Sequence, residues 1–137
     1  MKLIFADESL LDTLDKIADG SGTGLYWKLF TNDYTPIAGS TLAAFTFPAG
    51  AWNQIQVPVA DFTLRQLSAH QASIQAENIV FTNGSGGLLA VYGYAVLNET
   101  LTKIIAAARF DDAPVALADG ASLPVAPVLG VESYYSS

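Results

Sequence analysis

The chain has 137 residues, of which 51% are apolar and 14% charged, against a usual charged share of about 25%. That composition suits one domain with a sizeable core and excludes intrinsic disorder, which requires low hydrophobicity and high charge. Six Lys and Arg against thirteen Asp and Glu give a net charge of −7, which leaves no basic patch for nucleic-acid phosphates or an anionic membrane surface.

There are no cysteines, hence no disulfides and no thiolate metal sites. No apolar run reaches the length of about 20 residues that spans a bilayer. The start, Met1 to Glu8, turns acidic too soon for a secretory signal, so a soluble protein is expected. With so little charge to wet its surface, part of that surface is expected to lie against a partner.

Near the N-terminus, Leu10, Leu11, Leu14, Ile17 and Ala18 share the three- and four-residue spacing of a helical stripe. Asp7 suits the N-cap and Gly20 the C-terminal position, which predicts an amphipathic helix from Glu8 to Ala18. Gly20-Ser21-Gly22-Thr23-Gly24 then reads as a joint. From Leu25 the period becomes two: Leu25, Trp27 and Leu29 alternate with Tyr26, Lys28 and Phe30. Thr41 to Phe45 suits one short helical turn. Trp52 to Val57 is the next expected strand, with Trp52, Ile55 and Val57 as core candidates. Ala60 to Ala72 fits strand or loop about equally well.

Ser73 to Phe81 carries strand signals, and a loop follows at Asn83-Gly84-Ser85-Gly86-Gly87. Leu88 to Leu97 is expected as one long strand, and Leu101 to Phe110 as another. Val115 to Leu117 and Ser122 to Leu129 flank Asp119-Gly120, a composition that favours a tight hairpin turn. Pro124 and Pro127 point to an edge. Several short strands with regular turn signals predict an all-β fold, a β-sandwich or jelly roll with one N-terminal amphipathic helix. The division expected is 1–24 for helix and joint, 25–130 for the sandwich and 131–137 for a tail.

Catalytic constellations are scarce. His70 is the one histidine and has no G-x-S-x-G elbow beside it, so a surface imidazole is the simpler reading. Asp111-Asp112 reads as a solvated turn before Pro114 rather than an acid–base pair. Calcium binding by Asp111, Asp112 and Asp119 lacks the D-x-D-x-D-G spacing. Neither glycine cluster spells a phosphate loop, and no cofactor motif is present. The glycosylation pattern at Asn83 and Asn98 is read as chance without a secretory signal. Tyr134-Tyr135 is an aromatic pair suited to packing on a partner.

Several strings together are more specific. Leu29-Phe30-Thr31-Asn32-Asp33-Tyr34-Thr35-Pro36 is followed by Leu42-Ala43-Ala44-Phe45-Thr46, then Phe81-Thr82-Asn83 and Val91-Tyr92-Gly93-Tyr94. Ala107-Ala108-Arg109-Phe110, Ala118 to Leu123 and Val125 to Leu129 complete the order. In this order they resemble small β-rich structural proteins of tailed-bacteriophage particles over Leu25 to Leu129. At Ala108 and Asp119 the chain departs from the usual "W-A-E-R-F" and "x-N-G-D-T-L". The resemblance implies a virion protein assembled in the host cytoplasm, with no catalytic residues to carry over.

The expectation is a capsid decoration or cement protein, not an enzyme, that contacts the major capsid protein or copies of itself as a homo-oligomer. Leu10, Leu11, Leu14, Ile17, Tyr134 and Tyr135 are the expected partner-binding residues. The rival expectation is a receptor- or glycan-binding module of a tail fibre or baseplate, with Trp52 or the Asn32 to Thr35 loop as its platform.

Overall fold

The computed structural model describes residues 3–5, 24–58, 63–68, 71–75, 79–125 and 128–132. These form β1 (Leu3–Phe5), β2 (Leu25–Phe30), β3 (Ile55–Val57), β4 (Thr63–Ser68), β5 (Gln71–Gln75) and β6 (Ile79–Thr82) in the first part. The second part supplies β7 (Leu89–Val91), β8 (Gly93–Leu97), β9 (Ile104–Arg109), β10 (Val115–Leu117), β11 (Ser122–Val125) and β12 (Val128–Glu132). Two 3-10 turns, Leu42–Ala44 and Ala51–Asn53, complete the elements. Every strand pairing is antiparallel. The fold is all-β, as the period of two requires. The helix expected from Glu8 to Ala18 lies outside the described residues.

The central sheet runs β1-β9-β8-β2-β3; the other strands form a β12-β5-β4 sheet and two ribbons, β10-β7 and β11-β6. Leu25, Trp27 and Leu29 of β2 sit on one face of the central sheet, with Tyr94 and Val96 of β8 and Ile105, Ala106 and Ala108 of β9. They pack with Val91, Leu117, Phe81 and Val125 from the two ribbons. Burying each of the large side chains here contributes about 1.5–3 kcal/mol. The opposite face holds Phe30, Ala95, Leu97, Ile104 and Ala107, and it is covered by Tyr34, Leu42, Phe45 and Phe47. Both faces are therefore dry, which is why β8 is buried at all five positions. In β9 the register passes from Val96↔Ala106 to Leu97↔Ile104, so Ile105 is an extra residue that joins Ala106 in the first cluster.

Several expectations need correction. Ser122 to Leu129 divides between β11 and β12, which pair with β6 and β5. Leu88 to Leu97 is not one strand: Tyr92 separates β7 from β8, donating its N–H to Phe30 O at 2.9 Å and accepting from Phe110 N at 2.9 Å. Here the chain leaves the ribbon and enters the central sheet. Side-chain alternation slips by one, so Val91 and Tyr94 share a cluster while Tyr92 and Ala95 share the other. Gly93 permits the slip, because a Cβ there would collide with Ala108 O and Phe30.

The Asp119-Gly120 pair does turn the chain, with Ala121 N donating to Ala118 O at 2.9 Å and Gly120 at φ 79°. It is a corner and not a hairpin, since β10 pairs with β7 and β11 with β6. The strand expected over Trp52 to Val57 starts at Ile55, because Ala51–Asn53 is a 3-10 turn. Ser73 to Phe81 divides between β5 and β6, which pair with β12 and β11 respectively. In the ambiguous stretch, Thr63–Ser68 is strand, and the short helical turn expected at Thr41 to Phe45 is the 3-10 turn Leu42–Ala44.

Candidate functional site

The segment from Thr31 to Phe47 crosses the second face of the central sheet as an irregular strap. Its hold starts at Asn32, two residues past the end of β2. The Asn32 Oδ1 accepts from Thr46 N at 2.8 Å and its Nδ2 donates to Ala44 O at 2.8 Å. One side chain thus replaces a rung of β ladder, beside the backbone bond from Thr31 N to Thr46 O at 2.9 Å. Further along, the Tyr34 hydroxyl and Ser40 Oγ lie 2.7 Å apart, and Ser40 Oγ accepts from Ile37 N at 2.9 Å. Phe45 meets Phe30 and Tyr34 edge to face, both at 5.1 Å between ring centroids, and stacks on Phe47 at 5.7 Å.

Charge closes the strap from the other side. Arg109, the last residue of β9, donates to Asp33 Oδ1 at 2.6 Å and to Tyr34 O at 3.3 Å, and its guanidinium lies over the Tyr92 ring at 5.3 Å. Asp33 is 71% exposed, so this pair orients more than it stabilises. Lys28 Nζ sits 5.0 Å from the Phe47 ring centroid, and burial pulls its pKa below the ordinary lysine value. Ile37, at the tip of the strap, is 61% exposed.

A second loop cluster is built on Asn83, which immediately follows β6; like Asn32, two residues past β2, it closes a Phe-Thr-Asn string. Asn83 is 1% exposed. Its Nδ2 donates to Gly87 O and to Leu117 O, each at 2.8 Å, and its Oδ1 accepts from Ser85 N at 2.9 Å. The Asp119 carboxylate accepts from Gly86 N at 3.0 Å and so ties the Gly-rich loop to the β10–β11 corner. Beside this loop lies Trp52, whose indole N–H donates to Ala49 O at 3.1 Å. Gly50 and Gly84 lie so close to the indole that a Cβ at either would crowd it.

Asn53 makes a third amide clamp. Because Leu25 faces Val57 and Trp27 faces Ile55, Leu29 falls opposite Asn53. There the side chain takes over the ladder: Oδ1 accepts from Leu29 N at 2.7 Å, and Nδ2 donates to Leu29 O at 3.0 Å and Pro48 O at 3.1 Å.

Of the expected site residues, Leu10, Leu11, Leu14, Ile17, Tyr134, Tyr135 and His70 lie outside the described residues. Asp111 and Asp112 are exposed at a turn, and Asp119, at the β10–β11 corner, accepts from Gly86 N of the Gly-rich loop. Among the described residues no group of three His, Asp or Glu side chains could hold a metal ion, so the three aspartates are not gathered into a calcium site. What the sequence reading missed is the set of asparagine clamps and the pairing of Arg109 with Asp33. For Asn32 and Asn83 the available signal was an asparagine just past a strand end, a residue suited to bonding nearby backbone; Asn53, ahead of β3, carried no such signal. Comparison with family models, curated proteins and solved structures gives no match to this chain.

Proposed function

We propose that the chain is a β-sandwich structural subunit of a tailed-bacteriophage particle, with capsid decoration as its most specific form. In this reading the central sheet and the facing ribbons are the two layers of the sandwich, and a jelly-roll connection between them is its finer form.

One observation carries the reading: the strings behind the resemblance meet in space. Asn32 of the first string grips Ala44 and Thr46 of the second. Arg109 of the "A-A-R-F" string pairs with Asp33, and Tyr92 of "V-Y-G-Y" bonds to Phe30 and Phe110. Residues as far as 76 positions apart are joined in this way. Each of these residues has an architectural task, which supports a protein whose sequence pattern serves its shape and its packing with neighbours rather than catalysis. The low charge of the chain points the same way, since a permanently assembled subunit needs less wetted surface.

The decisive experiment is quantitative mass spectrometry of purified particles from a culture that produces the chain. Copies in the hundreds per particle support capsid decoration. A handful supports the tail and the receptor- or glycan-binding rival, and absence from particles overturns both. The assembly role of the N-terminal stripe is tested by replacing Leu10, Leu11, Leu14 and Ile17 with serine. A folded monomer with unchanged Tm that no longer binds particles is the expected result; an unfolded chain would place the stripe in the protein's own core. No helix among the described residues is long and apolar enough to cross a membrane.

A further inference from the structure

We propose that Asn83 is a deamidation site gated by the fold, whose reaction makes opening of the Gly-rich loop irreversible. Of the five asparagines in the chain, Asn83 alone precedes a glycine. Without a Cβ, glycine leaves its backbone nitrogen open for attack on the preceding side chain. In that reaction the Gly84 nitrogen bonds to Asn83 Cγ, the Cγ–Nδ2 bond breaks, and ammonia leaves carrying the Gly84 amide proton. Water then opens the cyclic imide at either carbonyl, giving aspartate or isoaspartate. No atom changes oxidation state, and water is the sole co-reactant.

The folded chain blocks the first step. To bring Cγ onto the Gly84 nitrogen, the side-chain amide must turn, which breaks its bonds to Gly87 O, Leu117 O and Ser85 N together. The backbone cannot swing instead, because Asn83 N donates to Ala121 O at 2.9 Å and Asn83 O accepts from Gly120 N at 2.8 Å. Reaction therefore proceeds from the locally opened chain alone, at a rate scaled by the open population.

The product cannot close again. A carboxylate at this position has no proton to give, yet it would face the carbonyl oxygens of Gly87 and Leu117 at a site only 1% exposed. Burying a charge among acceptors is strongly unfavourable. The cluster thus keeps a covalent record of each chain that has opened there. This inference does not depend on where the protein assembles.

The test uses the full chain, incubated at mildly alkaline pH in native buffer and in guanidinium chloride, with peptide mass spectrometry following residue 83. Conversion at least about tenfold slower in native buffer is expected, since it requires an opening equilibrium. Equal rates in the two conditions would overturn the gate. Chains converted in denaturant are then returned to native buffer and compared with unconverted chains by near-ultraviolet circular dichroism. Failure to recover the native signal is expected; recovery with an unchanged Tm would overturn the irreversible step. Asn98, which precedes Glu99, serves as the slow-reacting internal control in both conditions.

Discussion

The two faces of the central sheet are closed by different physics. On one, strands cover strands: Trp27, Leu29, Val96 and Ile105 meet Phe81, Val91 and Leu117, and regular alternation supplies the contacts. On the other, an irregular strap covers Phe30, Leu97 and Ile104, and its course is set by Asn32, Ser40 and Arg109. Apolar area is non-directional and tolerates adjustment, whereas an amide clamp holds one geometry or none. The strand-covered face therefore carries most of the stability, and the strap-covered face carries a precise shape.

The sharpest way to break that contrast is Trp27→Ala. It removes a fully buried side chain from the strand-covered face and should cost about 3–5 kcal/mol, a large part of the stability of a domain this size. Chemical denaturation should show the loss as a lowered midpoint or as an unfolded chain. Asn32→Ala should cost less, about 1–3 kcal/mol, and should free the strap while the opposite cluster persists. Dye binding to newly exposed apolar surface, with the far-ultraviolet strand signal retained, checks this. A loss as large as that of Trp27→Ala would mean that the faces are not held differently.

Alkali should separate the faces by sign. Burial raises the pKa of Tyr94, in the strand-covered cluster, above its ordinary value of 10.0. As pH rises through that ordinary value, the unfolded chain releases a proton that the folded chain keeps, so Tyr94 makes stability fall. Lys28, on the strap side, has its pKa lowered from 10.5. Below that value the unfolded chain holds a proton the folded chain has begun to lose, so Lys28 makes stability rise with pH. Tyr94→Phe should thus blunt the alkaline loss, and Lys28→Met should deepen it, both read from denaturation midpoints between neutral and about pH 11. The smallest effect belongs to Asp33→Asn, at about 1 kcal/mol or less, because that ion pair is solvent-screened.

The sequence made the strand-covered face legible and the strap largely illegible. Leu25, Trp27 and Leu29 announce their burial through a period of two, and the structure buries all three. Phe30 breaks the period and is buried too, because the second face has its own cover. That cover has no period to read: Tyr34, Phe45 and Phe47 reach the sheet from irregular chain. Tyr92 shows a second limit. Nothing in the run from Leu88 to Leu97 marks a change of sheet except Gly93, and a lone glycine in a strand has several readings. Of the clamps, Asn83 fell in an expected loop and Asn53 within the expected strand Trp52 to Val57, and neither showed its role, since their partners Leu117 and Leu29 are distant in sequence.

The strand order of the central sheet also sets a timetable for folding. Leu3 lies opposite Ala108, and Tyr26 lies opposite Leu97, so the sheet joins segments made far apart in time during synthesis. As the chain leaves the ribosome, β2 emerges with Trp27 long before β8 exists to pair with it or Phe81, Val91 and Leu117 exist to cover that face. Closing such long loops before any contact rewards them slows folding, as it does in all-β domains of high contact order. Until Gly93–Leu97 has been synthesised, Leu25–Phe30 keeps one edge unpaired, and until Val115–Leu117 and Ser122–Val125 follow, the face that carries Trp27 is incompletely covered; the time spent in that state governs how much of the chain reaches its fold rather than an aggregate.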